Sequence, residues 1–530
     1  MVGIGPFITI PLFIGKMGGP HALIGWVVAA VLVLCDGLVW SELGAALPGS
    51  GGTYHFLREI FGRYRWGRLV PFLFIWQFLL SATLEMASGY IGAADYVQYV
   101  FPNLEARLAG WGIPHGMNWL AAASCVVVTL ALCRRIQVVG WVGVLLCTGT
   151  IATVLTVIVS GLTHFDASLL KFPPDAIRLD GKFAMGLGGA MLIAIYDYLG
   201  YYNICHLGEE VSDPGRTIPR AVILSVVLVA VLYLTMNLSI IGVVPWQQAM
   251  GSKNIAAQFM EQLFGRGVAV AFTWLILWTV VACMFAITLG YSRIPFAAAR
   301  NGDFFRVFAW VHPRDRYPMV SLLVIGLLTA MFCFFPLQDV ITAAVTVRIL
   351  VQFIGQIVAL HVLRTVRPEF HLPFRMWIYP IPSVLALLGW LFVLGTSGWS
   401  FVLAGFGVIL SGCAVFLAWR ALAAGQRVKP ALLLGSLAAA LMAVGEGAYW
   451  LGETGVVLYV VGLSTAVGIA CSVILSSLRS SLRWSESGPL GRQMAVLAGI
   501  PAGSLLAFVV IRGVAWTISL GLAWLWRVLV

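Results

Sequence analysis

Apolar runs long enough to cross a bilayer recur from one end of this 530-residue chain to the other, and only 10% of its residues are charged. A membrane helix needs about 20 such residues. In hydrocarbon every backbone N–H and C=O must find its partner within the protein, so the runs are expected to be helices. With 61% hydrophobic residues, an ordinary soluble domain and a disordered chain are both excluded. Spans are predicted near 1–17, 21–47, 69–100, 117–132, 136–162, 183–205, 217–244, 267–291, 318–335, 339–363, 377–396 and 399–419, with further apolar stretches near 430–450, 455–478 and 493–530. The expectation is an all-α polytopic membrane protein of about 14–16 transmembrane helices. No loop is long enough for a soluble catalytic domain, and no nucleophile–base pair or metal-ligand spacing stands out; His164, His312 and His371 are scattered through loops. An enzyme, a cofactor and a bound metal are therefore not expected.

The formal charge of +11 would suit nucleic acid, but its distribution argues against that partner. If the loop between spans 2 and 3 is cytoplasmic, 22 of the 32 Lys and Arg residues lie in loops on that side. Seven lie opposite, and Arg348, Arg512 and Arg527 lie within spans. Such an excess is the positive-inside pattern of a multi-pass protein of the inner or plasma membrane. The nine cysteines all fall in apolar stretches without a C-x-x-C, so they read as packing residues rather than a disulfide framework. No basic region precedes the first apolar run, which argues against a cleaved signal peptide.

Two spans carry interruptions. The first is Met1-Val2-Gly3-Ile4-Gly5-Pro6-Phe7, and the second runs through Ala194-Ile195-Tyr196-Asp197-Tyr198-Leu199-Gly200-Tyr201-Tyr202-Asn203. Unwound backbone at membrane depth is tolerated only where it lines a cavity or is buried in protein. Interrupted segments at matching places in two halves point to a carrier's binding site. Gly3 and Gly5 free the backbone from helical geometry, and Pro6 suits the first turn of a restarted half-helix. Its positive end favours a carboxylate. The alternative is that Gly3 and Gly5 are a helix-packing pair. In the second interruption Tyr196, Tyr198 and Tyr201 offer amphipathic walls, and Gly200 allows close backbone approach.

Several motifs then carry a resemblance. Met1–Phe7 resembles the first-span glycine motif of the amino acid–polyamine–organocation superfamily, and Pro48-Gly49-Ser50-Gly51-Gly52-Thr53-Tyr54 resembles the loop after its second span. Gly208-Glu209-Glu210-Val211-Ser212-Asp213-Pro214-Gly215-Arg216-Thr217-Ile218-Pro219-Arg220-Ala221 resembles its most specific signature. The stretch from Ser292-Arg293 to Arg300-Asn301-Gly302-Asp303 resembles its 8–9 loop, and Arg367-Pro368-Glu369 with Pro373-Phe374-Arg375 its 10–11 loop. The likeness covers about residues 1–420. It implies a leucine-transporter-like fold with 5+5 inverted repeats and spans 1 and 6 broken. The first repeat would be 1–165 and the second 183–365, followed by spans 11–12 at 366–420 and additional helices at 421–530. Gly5-Pro6-Phe7, the 138–146 stretch, Asp36, Glu42 and Glu85 look closest to plant-type polyamine uptake carriers, whereas span 6 departs from them. By register Tyr196 falls where amino acid carriers place an aromatic gate. Asp197 falls where they carry a small residue.

Ionisable groups within a membrane are costly and mark function by default. Glu85 and Asp36 are the candidates for proton coupling, and Arg348 is the candidate counter-ion that would make either of them structural. Several proton-coupled relatives use a lysine in span 5, where Gly149 or Thr150 stands here. Asp197 beside the interruption favours a basic or amine substrate, unless it serves as a backbone cap. The substrate site is therefore expected at Gly3, Ile4, Gly5, Tyr196, Asp197, Tyr198, Gly200 and Tyr201. The function expected is secondary-active amino acid transport by alternating access, proton-coupled and leaning to cationic amino acids. Polyamine uptake is the alternative, and a non-transporting sensor on the same fold is the alternative of another class. The family places a half-helix before the glycine pair, so translation is expected to start upstream of Met1.

Overall fold

The computed structural model describes residues 3–423 apart from 65–66, 134–138, 175, 316 and 367–369, with side chains described except at 139–147, 418 and 421–423. Met1-Val2, Arg367-Pro368-Glu369, the side chains of 138–146 and the stretches predicted as spans beyond 423 lie outside the described residues. The helices are α1 (Gly5–Met17), α2 (Leu23–Ala46), α3 (Thr53–Phe61), α4 (Leu69–Val100), α5 (Leu104–Gly110), α6 (Gly116–Ala131), α7 (Val139–Thr163) and α8 (Gly181–Tyr198). There follow α9 (Pro214–Ile241), α10 (Trp246–Met250), α11 (Ile255–Phe264), α12 (Arg266–Arg300), α13 (Met319–Phe332), α14 (Leu337–Arg348), α15 (Ile354–Val366), α16 (Ile381–Thr396) and α17 (Trp399–Ala423). A π-helical turn, Ile349–Phe353, joins α14 to α15. Among the described residues six helices are long and apolar enough to cross a membrane, and five shorter apolar ones accompany them. The chain divides into two compact units, Met1–Ser397 and Gly398–Val530; α17 belongs to the second.

Local signals set the helix ends. Pro6 occupies the first turn of α1, where its missing N–H costs nothing, and Gly18 ends the helix in the left-handed region at φ 73°. Asp180 caps α8 by accepting the Phe183 N–H at 2.8 Å. At its other end α8 stops because Leu199 turns to ψ 146° and Gly200 adopts φ +100°. Only glycine takes that value without strain. A short 3-10 turn, Asn203–His206, then carries the chain toward α9.

One stretch differs from the expectation. The 8–9 motif around Ser292–Arg300 is not loop: α12 continues through it, because Ile294, Ala298 and Ala299 keep an apolar stripe buried. Arg293 and Arg300 therefore stand on a helix. The mixed segment after Thr53 folds as α3, with Tyr54, Phe56, Leu57 and Ile60 buried on one side. Its alternation of apolar and charged residues is the pattern of a helix lying on an apolar surface.

Packing brings α1 against α8, α2 against α8 and α9, and α4 between α12 and α14. Apolar lipid tails offer helices no reason to prefer one another, so polar contacts carry much of the specificity. The tightest is at Glu42, which is fully buried on α2. It receives Arg364 of α15 through both carboxylate oxygens at 2.5 and 2.7 Å, and the Met376 N–H at 2.8 Å. The same guanidinium lies 3.8 Å from the centre of the Tyr379 ring. Removing one partner of such a pair leaves a buried charge uncompensated, whereas removing both is far milder. Glu42→Leu is expected to destabilise the purified protein by about 3 kcal/mol, and Glu42→Leu/Arg364→Leu by much less. Thermal melting of the variants in detergent checks the order.

Candidate functional site

The start of α1 and the end of α8 meet where these two helices pack. Ahead of α1, the Gly3 N–H donates to the Tyr233 hydroxyl of α9 at 3.0 Å. The Phe7 N–H returns to the Ile4 carbonyl at 2.9 Å, and the Tyr96 hydroxyl of α4 holds the Phe7 carbonyl at 2.7 Å. The backbone before the helix is thus satisfied from neighbouring helices, as membrane depth requires. On the other side, Asp197 lies one residue from the end of α8 and is 4% exposed. Its Oδ2 accepts from the Thr9 hydroxyl at 2.6 Å. Its Oδ1 is buried and has no hydrogen-bond partner among the described residues. That oxygen packs against the α-carbon side of Gly5, where any Cβ would collide with it.

A cavity of about 1230 Å³ runs from this point to the ends of α3 and α12. Gly3, Ile4, Gly5, Tyr196, Asp197 and Gly200 all line it, as does Glu85. Tyr198 and Tyr201, expected beside them, turn away. Tyr198 packs edge-on against Trp26 with ring centres 5.3 Å apart, and Tyr201 donates to Asp36. The helical turn explains the split: successive residues at the end of α8 cannot share one face. Residues without a sequence signal also line the cavity, among them Tyr233, Cys283 and Tyr291. Tyr291 closes the span predicted at 267–291 and stands on α12 just before the Ser292-Arg293 motif, where no motif marks it.

The three coupling candidates separate into two sites. Glu85 Oε2 accepts from Arg348 Nη2 at 2.5 Å and from the Tyr291 hydroxyl at 2.8 Å. Arg348 is fully buried and also donates to the Tyr202 hydroxyl at 3.2 Å and to Ser81 Oγ at 3.3 Å. Next to this pair, Tyr196 shares a 2.6 Å hydrogen bond with Ser88. Asp36 is elsewhere, held by three neutral donors: Tyr201 OH at 2.5 Å, Trp40 Nε1 at 3.0 Å and Trp390 Nε1 at 3.1 Å. Of Gly149 and Thr150, Thr150 lines the cavity. Toward the mouth the lining turns mixed, with His206, Glu209, Glu210, Arg293 and Arg300. The inner cavity therefore presents one carboxylate already met by a cation, Glu85, and one met only by a hydroxyl, Asp197.

Residues 1–419 match the family described as amino acid permease. The chain is 28% identical to the cationic amino acid transporter 4 of Mus musculus over 62% of its own length and 52% of that protein's. It is 24% identical to the serine/threonine exchanger SteT of Bacillus subtilis, covering 75% of this chain and 87% of the exchanger. It is 25% identical to the branched-chain amino acid permease BcaP of the same species, over 75% and 86%. The match spans about half the length of the mouse and human cationic transporters.

The close approach of Gly5 to Asp197 is testable without substrate. Gly5→Ala is expected to destabilise the protein by about 1–3 kcal/mol, the usual cost of overpacking. Trimming the carboxylate in Gly5→Ala/Asp197→Ala is expected to relieve most of that loss. A double-mutant cycle on thermal melting measures the coupling. Additive effects would separate the two residues.

Proposed function

The chain belongs to the amino acid permease family, within the amino acid–polyamine–organocation superfamily, and from that premise we propose that it is a proton-coupled carrier preferring cationic amino acids. The relatives differ in what their names say they carry, from cationic to hydroxylated to branched-chain amino acids. Family membership alone thus does not select a substrate, and the choice rests on the site. The observation that carries the reading is Asp197, which lines the cavity and whose buried Oδ1 has no hydrogen-bond partner among the described residues. A desolvated carboxylate oxygen without a donor is costly, and a substrate ammonium or guanidinium supplies the missing donor and charge. The substrate carboxylate is assigned to the backbone ahead of α1, at the positive end of that helix. The fold assigned is leucine-transporter-like, with repeats 1–165 and 183–365 and the interruptions of spans 1 and 6 at its centre. With the α3 side cytoplasmic, the cavity is the inward-facing pathway.

Glu85 is the proposed coupling group. When it is ionised, Arg348 holds it. When it is protonated, the guanidinium loses its counter-charge and the contacts of Arg348 with Tyr202 and Ser81 remain as the alternative. An organic diamine is the second reading, favoured by two carboxylates, Glu85 and Asp197, lining the inner cavity.

Uptake into proteoliposomes with and without an inward proton gradient tests the proposal. Arginine or lysine is expected to accumulate against leucine and glutamate as controls, and putrescine separates the second reading. Asp197→Asn is expected to lower cationic uptake at least tenfold, since losing one side of a desolvated charge pair costs several kcal/mol. Leucine uptake unaffected by Asp197→Asn would make this residue a cap and the site a neutral one. Glu85→Gln is expected to retain substrate exchange across the membrane while losing its response to the gradient. A gradient response that survives in Glu85→Gln would remove Glu85 from coupling.

A further inference from the structure

A second pocket, separate from the carrier cavity and independent of the transport reading, lies where α3 meets the start of α4. Its volume is about 230 Å³. Three guanidiniums line it: Arg58 from α3, Arg63 just beyond that helix, and Arg68 just ahead of α4. Two carboxylates, Asp303 and Glu59, stand among them. Asp303 is 4% exposed and already engaged. It accepts from the Tyr54 hydroxyl at 2.7 Å and from Arg58 Nε at 2.9 Å, with Arg68 Nε at 4.0 Å. Glu59 stands 3.8 Å from Arg58. Asp303 thus fixes Arg58 in place, and the lining keeps an excess of one positive charge.

We propose that this pocket binds the phosphodiester headgroup of an anionic membrane lipid. Guanidinium forks match phosphate oxygens bidentately, which a lysine-lined site would not do. Basic pockets at the end of transmembrane helices are a recurring form of lipid recognition. The placement favours a lipid over a free anion. The pocket sits at the first turn of a membrane-length helix, with Pro71 of α4 and Phe370 as apolar walls. Tyr64 beside it is 48% exposed, and exposed tyrosines belong at the headgroup level of a bilayer. A bound headgroup would tie α3 to the α12 end through Asp303, next to the mouth of the carrier cavity, which Arg58 also lines.

Native mass spectrometry of the full chain in detergent tests this, with phosphatidylglycerol and phosphatidylcholine as probes and inorganic phosphate as competitor. Phosphatidylglycerol is expected to stay bound preferentially, to weaken roughly tenfold in Arg63→Gln/Arg68→Gln, and to weaken with salt. Arg58 is left intact there because it holds Asp303. Equal retention of phosphatidylcholine, or undiminished phosphatidylglycerol in the double variant, overturns the proposal. Displacement of the lipid by inorganic phosphate at matched concentration also overturns it, in favour of a free-anion site. If the double variant melts early, Arg68→Gln alone decides the matter, since that side chain is largely exposed. Retention insensitive both to that change and to salt overturns the assignment.

Discussion

An ionised side chain removed from water is destabilising unless its charge is met at close range. Four carboxylates on the packed helices meet that demand to four different degrees. Glu42 has a bidentate arginine and a backbone N–H. Glu85 has an arginine and a tyrosine. Asp36 has, among the described residues, no cation beside it but three neutral donors, two of them indoles. Asp197 has one threonine hydroxyl. The series runs from a fully satisfied structural clamp to a group whose second oxygen waits for a donor. Function is to be sought at the incomplete end, because a saturated carboxylate has nothing left to offer a ligand.

The same contacts decide which helices stand together. Glu42 joins α2 to α15 and to the approach of α16, and Asp36 joins α2 to α16 again through Trp390. Arg348 joins α14 to α4 and to Tyr202, beyond the end of α8. These links connect residues between 146 and 354 positions apart. Packing of small residues adds to them where backbones approach closely, as at Gly25 against Ala190.

Much of this was readable in the sequence because its signals are local. Apolar run length gives the spans, and Gly200 marks the end of α8 because a left-handed residue there has to be glycine. The glycine–proline start of α1 and the acidic position at the end of α8 also follow from local chemistry. What could not be read is which charges meet. Arg348 was equally eligible for Asp36 and Glu85, and only the packing of α14 against α4 chooses Glu85. Nor did the sequence separate the cavity-facing Tyr196 from Tyr198 and Tyr201: α8 runs on through Tyr198, so the helical turn sends Tyr196 and Tyr198 to different faces, and Tyr201 follows on irregular backbone. The stretch 292–300 was misplaced for a related reason. A proline and two arginines resemble a loop, yet the buried stripe of Ile294, Ala298 and Ala299 outweighs them.

The segment from Leu199 to Tyr202, within the second interruption, also joins two charge sites that its sequence did not announce. On one side it follows Asp197 and lines the cavity through Leu199 and Gly200. On the other, Tyr201 is bound to Asp36, while Tyr202 is bound to Arg348 and stacked on Trp40 with ring centres 4.5 Å apart. The two charge sites are therefore not independent scaffolding. They hold adjacent residues of the one irregular stretch that follows the cavity carboxylate. A displacement of that stretch must be accommodated at both, through a carboxylate that would lose its shortest donor and a guanidinium that would lose a hydroxyl. Glu85, which shares Arg348 with Tyr202, feels the same displacement. The geometry thereby links the state of Glu85 to the position of the backbone just after Asp197 through a single buried arginine.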